Sequence, residues 1–327
     1  MKYKIICDYC ENFSSKTEEG HINDHQTKAT FENILFSMRR LGYQCDIFGG
    51  VPELLKAYYS KERFDCDTIF LNLSDGMDEK YSRVQIPIIC DLLKIKYSGG
   101  GTFETALTSN KFYSSLALKN KNILVPKSIL ITKPGDYDMP AEKVIVKPNS
   151  EGSSIGITSQ SVCFDRIAMN KQIKKLLKQF SEVIVEEYIP GYDVTCFVIG
   201  NEKIILNEVL VISHHNKFIF SDEVMSYKDH LLGTRTFHSS EGILTKSTED
   251  EIKQTSINIK NELNIYDFCR IDYRITTDNK VFFLEINTVP AISNDSQVGV
   301  ICNNLGIKFD EFIDLIVQTV TERFSHE

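Results

Sequence analysis

The sequence lacks any apolar run approaching the roughly 20 residues that a bilayer-spanning helix needs. It also lacks the long apolar core of a secretory signal. The opening Met1-Lys2-Tyr3-Lys4-Ile5-Ile6-Cys7-Asp8 is basic and then apolar, but the apolar part ends almost at once. It is read as a first β-strand, and the chain is expected in the cytoplasm with no membrane partner. There is no basic excess: 37 Lys and Arg stand against 45 Asp and Glu, a net charge of −8. That argues against broad contact with nucleic acid, although a local basic pocket remains compatible with it. The nine cysteines are scattered and odd in number, and only Cys7 and Cys10 form a C-x-x-C pair. Without a second pair or paired histidines at zinc spacing, reduced thiols are expected rather than a zinc site or a disulfide framework. The histidines suggest no ligand set. His214 and His215 are adjacent in a strand-like run and are expected to point opposite ways. His21, His25, His230 and His238 lie in polar stretches and read as solvated surface.

The apolar share of 42% and charged share of 25% are those of an ordinary globular protein. Its 327 residues exceed one simple core, so two or three modules are expected. Residues 3–8 and 67–73 are apolar runs suited to buried parallel strands. Between them Phe31, Ile34, Leu35, Met38 and Leu41 recur at helical spacing, with Gly42 as a stop. The cluster Ser98-Gly99-Gly100-Gly101 marks a boundary, giving an N-terminal parallel α/β layer over 1–101. Residues 102–182 read as a small α+β module: apolar segments at 126–132 and 143–147, then Met169, Ile173, Leu176, Leu177 and Phe180 at helical spacing. From 183 to 327 strands dominate. Two helices accompany them, one carrying Ile252, Ser256, Ile259 and Leu263 behind a Ser247/Asp250 capping box, the other carrying Phe309, Phe312, Ile313, Ile316 and Val320.

Three constellations could carry chemistry. In Val144-Ile145-Val146-Lys147-Pro148-Asn149-Ser150-Glu151-Gly152-Ser153-Ser154, a strand delivers Lys147 to its end and a Gly/Ser loop follows. Loop N–H groups and the Ser153 and Ser154 hydroxyls can wrap phosphate oxygens, and Lys147 supplies a point charge. A polar hairpin turn with a surface lysine is the alternative. The loop is no P-loop, because the lysine precedes the glycines, and no helix opens on it as in a dinucleotide fingerprint. In the second, Arg270-Ile271-Asp272-Tyr273 and Phe283-Leu284-Glu285-Ile286-Asn287 read as strands joined by a turn at Thr277-Asp278-Asn279. Alternation puts Arg270 with Asp272 and Glu285 with Asn287. A hairpin then gathers two carboxylates and an amide oxygen, the hard ligands that magnesium takes. The alternative is a solvated polar face. In the third, Val183-Ile184-Val185-Glu186-Glu187-Tyr188-Ile189 is a strand running into an acidic pair, whose backbone could read an adenine edge or whose carboxylates could simply be solvated.

Together these pieces resemble the ATP-grasp superfamily, and within it the D-alanine–D-alanine ligase family. Ser82-Arg83-Val84-Gln85-Ile86-Pro87, Ile95-Lys96-Tyr97-Ser98-Gly99 and Ala106-Leu107-Thr108-Ser109-Asn110-Lys111 extend the similarity over about residues 85–300. The resemblance implies a three-module ATP-grasp fold of α/β and α+β layers. It implies an ATP-dependent ligase that activates an amino-acid carboxylate as an acyl phosphate and joins it to a second amino acid, as in cell-wall dipeptide synthesis. Lys111 and Lys147 would contact the ATP phosphates, with Ser153 and Ser154 in a lid over them. Glu186, Glu187 and Ile189 would hold the adenine and Asp193 the ribose. Asp272, Glu285 and Asn287 would bind two magnesium ions, with manganese as a substitute. Arg270 would stabilise the oxyanion, Tyr227 would stand in the loop between lid and hairpin, and Ser296 would meet the second substrate's carboxylate. Small amino acids are the expected partners, and homodimers are common in that family.

Departures from the pattern fall on the amino-acid half. Cys10–Gly20 stands where the family has a glycine-rich turn with a glutamate for the first substrate's ammonium. Leu73-Ser74-Asp75-Gly76 replaces a His-Gly segment, Ser226-Tyr227-Lys228 reverses a Lys-Tyr pair, Pro290-Ala291 replaces Pro-Gly, and Gln297 stands where an aliphatic is usual. Ala291 can aim its N–H at an oxyanion only if its φ is negative. Arg83 either faces the substrate or makes a salt bridge at a helix start. Two other functions compete with a D-alanine ligase: a ligase of the same fold for other amino acids, and a nucleotide binder without turnover.

Overall fold

The computed structural model describes residues 1–9, 26–77 and 81–325, except for the side chains of residues 230 and 231. Cys10–Gly20, the stretch that departs from the family's glycine-rich turn, lies outside the described residues, as do His21 and His25.

The N-terminal layer is a parallel sheet in the order β2-β1-β3-β4, with β1 at Lys2–Ile6, β2 at Gln44–Gly49, β3 at Thr68–Asn72 and β4 at Lys96–Tyr97. Helix α1 (Lys28–Arg40) follows β1. Thr27 caps it through the Thr30 N–H, and Phe31, Ile34, Leu35 and Met38 turn inward as their spacing predicts. β2 and the helix after it, α2 (Val51–Ser60), carry no comparable sequence signal. Only Cys45 of β2 is fully buried, so no apolar run marks this edge strand. At the start of α2 the Asp8 carboxylate accepts the Val51 N–H at 3.3 Å. A Cβ on Gly50 would fall 1.8 Å from that carboxylate, so the approach requires glycine. α3 (Gln85–Leu93) completes the layer.

After α4 (Thr102–Thr108) and α5 (Lys111–Lys119) comes an antiparallel sheet in the order β5-β8-β6-β7: β5 at Ser128–Ile131, β6 at Val144–Pro148, β7 at Val162–Cys163 and β8 at Val183–Glu187. Helix α6 (Arg166–Leu176) covers one face with Met169, Ile173 and Leu176. The boundary drawn at 182 cuts this sheet. Val183, Ile184 and Val185 are all fully buried, and such a strand needs partners on both edges, which β5 and β6 provide. At the other end of the module Leu118 of α5 packs into the core of the next sheet.

That large sheet runs β12-β10-β9-β13-β14: β9 Gly191–Gly200, β10 Ile204–His214, β12 Arg235–Ser239, β13 Phe268–Ile275 and β14 Val281–Asn287, with β11 (Ile219–Phe220) pairing β9. Helix α7 (Tyr227–Leu231) lies between β11 and β12. On one face sits α8 (Lys246–Glu262). Its cap is Thr245, which accepts the Thr248 N–H at 3.2 Å, not Ser247; Asp250 instead pairs with Lys246. The other face, through Phe197, Leu210 and Phe268, shares a core with α1, α9 (Gln297–Leu305), α10 (Phe309–Ser325) and the N-terminal sheet. A buried clamp joins these layers: Arg323 reaches Asp267 at 3.0 Å and the carbonyls of Tyr97 and Gly99, while Asp267 accepts the Gly99 N–H at 2.8 Å. No helix among the described residues is long and apolar enough to cross a membrane.

Candidate active site

A cavity of about 340 Å³ opens between the small sheet, the large sheet and the N-terminal layer. Its floor is the β13–β14 hairpin. Arg270 stands opposite Asn287 and Asp272 opposite Glu285, so all four side chains leave one face. Strand β9 extends that face, with Thr195 opposite Asp272 and Asp193 opposite Arg274. The groups interlock. Arg270 donates to both Asp272 oxygens, at 3.0 and 2.8 Å; Thr195 Oγ1 donates to Asp272 at 2.7 Å and Asn287 Nδ2 at 3.3 Å. Lys111 Nζ lies 2.9 Å from Glu285. Burial pushes the Glu285 carboxyl up, but the Lys111 charge and hydrogen bond, then Lys147 and Arg270, outweigh it and hold the group at about 2. Asp193 goes the other way: burial raises it against the pull of Arg274, 3.1 Å away.

The small sheet contributes the opposite wall. Lys147, at the end of β6, donates to Glu186 of β8 at 2.8 Å, both side chains buried. Asn149 ties this strand end to α5: its backbone and side-chain oxygens accept the N–H groups of Lys111 and Phe112, at 3.2 and 3.0 Å. Lys111 is thereby fixed at the first turn of a helix that Asn110 caps. The loop beyond holds Ser153 and Ser154 in consecutive left-handed conformations, φ +45° and +60°, each costing on the order of 1 kcal/mol for a non-glycine residue. At its far end Gly156 has φ +76°, and a Cβ there would meet Pro148 at 2.6 Å.

The wall of the cavity includes Lys111, Lys147, Ser153, Ser154, Asp193, Arg270, Asp272, Glu285, Asn287 and Ser296. Four other sequence-selected residues are not in it. Glu186 is spent on Lys147. The Glu187 N–H donates to the Lys127 carbonyl at 2.7 Å, and its carboxylate accepts the Lys127 N–H at 3.3 Å. Ile189 is buried, and the Tyr227 hydroxyl is out of solvent contact, while its backbone N–H donates to Ile157 O at 3.2 Å, beside the lid loop.

The end away from Lys147 is built from loops and helix starts. Asp75 accepts from Arg83 Nε at 2.6 Å, and Arg83 reaches Asn287 at 3.5 Å. Arg83 thus does both things the sequence left open: it makes a salt bridge at the start of a helix and faces the cavity. Ser296 caps α9, accepting the Val298 N–H at 3.2 Å while donating to Ser293 O at 2.7 Å. The buried Gln297 amide donates to Ala291 O at 3.0 Å, and Ala291, which also lines the cavity, does not have positive φ. Sequence reasoning missed Thr195, Arg274, Asn149 and Asp75. Two-residue alternation from Asp272 and Asp193 would have found the first two; nothing local marks the others.

The family described as D-ala D-ala ligase C-terminus matches residues 138–318, more than half of the chain. The D-alanine–D-alanine ligase of Thermotoga petrophila is 28% identical over 289 residues, covering 88% of this chain and 90% of that protein. D-alanine–D-alanine ligase B of Clostridium perfringens is 26% identical over 282 residues, covering 80% of this chain and 89% of that ligase. In three dimensions the chain superposes on the D-alanine–D-alanine ligase of Bacillus anthracis complexed with ATP, with a TM-score of 0.73 at 17% identity, covering 99% of this chain and 98% of that one. It superposes on the D-Ala:D-Ser ligase of Enterococcus faecalis with a TM-score of 0.70 at 19% identity, covering 98% and 99%. The chain belongs to the D-alanine–D-alanine ligase family and is an ATP-dependent ligase of the ATP-grasp fold.

Proposed function

We propose that the chain joins two D-alanine molecules, phosphorylating the carboxylate of the first with ATP and letting the amine of the second displace phosphate. The observation that supports this most is the convergence of Arg270, Asp272, Glu285 and Asn287 with Lys111 and Lys147 on one cavity. A carboxylate is a poor electrophile; transfer of the γ-phosphoryl group to its oxygen gives an acyl phosphate with a good leaving group. Lys111 and Lys147 neutralise phosphate charge as it builds. Arg270, held flat by its two bonds to Asp272, is aimed to stabilise the oxyanion when the amine attacks. The strained Ser153–Ser154 turn covers the phosphates and excludes water, which would otherwise take the acyl group.

Asp272, Glu285 and Asn287 offer only oxygen ligands, a donor set that fits magnesium. Held there, two magnesium ions would supply charge neutralisation and alignment of the phosphates. At the far end, the Asp75–Arg83 pair and the α9 N-terminus with Ser296 bind the zwitterionic amino acid, the carboxylate oxygens toward Arg83 and the helix start.

The cell-wall dipeptide role and a cytoplasmic location belong to the same reading. A homodimer through α2 and α3, which pack together and expose Leu55, Tyr58, Tyr59, Ile88 and Leu92, belongs to it as well. The decisive experiment is an amino-acid pair screen read by ADP release, with products identified by mass. ADP and D-alanyl-D-alanine with D-alanine alone support the reading. Release only with another pair assigns a different substrate, and ATP binding without release for any pair assigns a binder.

A further inference from the structure

His214 and His215, in which the sequence suggests no ligand set, form the strongest unassigned cluster together with Asp229. β10 ends at His214, and the chain reverses through His215 and Asn216, both with positive φ (+49° and +61°). His214 and Lys217 exchange backbone hydrogen bonds at 3.0 and 2.9 Å across this two-residue turn, the form that requires both central residues left-handed. The strand alternation expected for His214 and His215 is therefore broken, and their ring centroids lie 4.3 Å apart. His215 and Asn216 are both residue types that the left-handed region accepts among non-glycine residues, so the turn sets the rings side by side without unusual strain.

The Asp229 carboxylate of α7 completes the group. Ligand atoms of His214, His215 and Asp229 all lie within 4.8 Å of one another. His214 Nε2 is out of solvent contact and faces Asp229 Oδ1 at 3.4 Å, a pair without good hydrogen-bond geometry. Bonds of about 2.0–2.1 Å at tetrahedral angles place two ligand atoms about 3.3 Å apart around zinc. Asp229 is already oriented for this: its Oδ2 takes the Ser226 N–H at 2.9 Å and hydroxyl at 2.6 Å, leaving Oδ1 toward the rings. Its own carbonyl is held by Thr234 at 3.0 Å.

We propose that His214, His215 and Asp229 form a binding site for a divalent transition-metal ion, zinc foremost, separate from the oxygen-ligand face of the β13–β14 hairpin. Two imidazole nitrogens and one carboxylate oxygen suit zinc, nickel or copper and are a poor set for magnesium. Three protein ligands leave a fourth position for water. The ion fastens the end of β10 to α7, the helix whose first residue, Tyr227, bonds Ile157 beside the lid loop. Metal occupancy therefore restrains the segment that touches the lid.

The test is zinc titration of the full chain by calorimetry in excess magnesium, with cobalt as an optical probe of coordination. Glu285→Gln serves as the control that disables the hairpin face. The expected result is one zinc per chain and a tetrahedral cobalt spectrum. Glu285→Gln should retain both, while His214→Gln and Asp229→Asn should weaken binding by at least roughly 100-fold, beyond the loss seen on removing an outer-shell partner. Zinc should also slow proteolysis within residues 215–234 in the parent and not in His214→Gln. Circular dichroism confirms that each variant is folded, and unchanged ATP affinity does so in addition for His214→Gln and Asp229→Asn. No zinc binding, binding that survives both ligand variants, or an octahedral all-oxygen cobalt spectrum lost in Glu285→Gln would each overturn the proposal.

Discussion

The two ends of the cavity are built in opposite ways. At the end we assign to the phosphates, the side chains come from central strands. Asp193, Thr195, Arg270, Asp272, Arg274, Glu285 and Asn287 leave the same face because strand geometry alternates side chains, and each is tied to a neighbour in the interior. At the end we assign to the amino acid, they come from termini and loops: Asp75 after β3, Arg83 before α3, Ala291 and Ser296 before α9. Strands fix direction to within a pleat. Loops fix it only through particular hydrogen bonds, such as Gln297 to Ala291. One end can therefore keep its chemistry through wide sequence change, and the other can be retuned bond by bond, which is where the departures from the family pattern fall.

The largest expected effect breaks the strand-built end. Glu285→Gln keeps shape and burial but removes the charge that Lys111 compensates, and turnover should fall by more than about 10³-fold with the fold intact. ADP release with circular dichroism measures this; normal turnover would remove Glu285 from the chemistry. The same variant has a pH signature. The folded Glu285 value of about 2 lies below its ordinary 4.5, so its stabilisation is present above pH 4.5 and is lost as pH falls from there toward 2. The glutamine variant lacks that component, and its stability should decline less steeply across this window in urea titrations at stepped pH.

Next in size is the joint between the two ends. Arg323→Ala leaves Asp267 buried without its cation, at a cost of about 3–5 kcal/mol. Because the clamp holds the N-terminal layer to the large sheet, the Michaelis constant for amino acid should rise more than that for ATP. A loss below 1 kcal/mol by urea unfolding would mean the clamp is not what joins the layers. Arg270→Met should then lower kcat by about 10²–10³-fold, the usual loss for one oxyanion donor, with ATP affinity nearly unchanged. An effect on ATP affinity alone would assign Arg270 to the nucleotide rather than the oxyanion.

The same contrast explains what was legible in the sequence. The hairpin with its four polar residues follows from alternation and one turn, and the helical stripes of α1, α6, α8 and α10 follow from spacing. β2 was hidden because an edge strand with one buried cysteine has no apolar run. Glu186 looked like a free acid because its partner Lys147 is 39 residues away, and only the pairing of β6 with β8 brings them together. Asn149 and Asp75 act through tertiary contacts that no local pattern encodes. His214 and His215 were misread because one residue of left-handed backbone cancels strand alternation.

The smallest effect belongs to the loop-built end and sharpens the contrast most. Gln297 is buried and donates to Ala291 O at 3.0 Å. Gln297→Leu removes the donor and leaves the carbonyl without that partner, a cost of roughly 1 kcal/mol. The Pro290–Ala291 turn then loses a bond that fixes it at the end we assign to the amino acid. The Michaelis constant for the amino acid should rise by less than about tenfold, with that for ATP unchanged. Initial-rate kinetics with each substrate varied in turn separates the two. Equal rises in both constants would mean that Gln297 supports the whole cavity, and the two ends would then not be independently tunable.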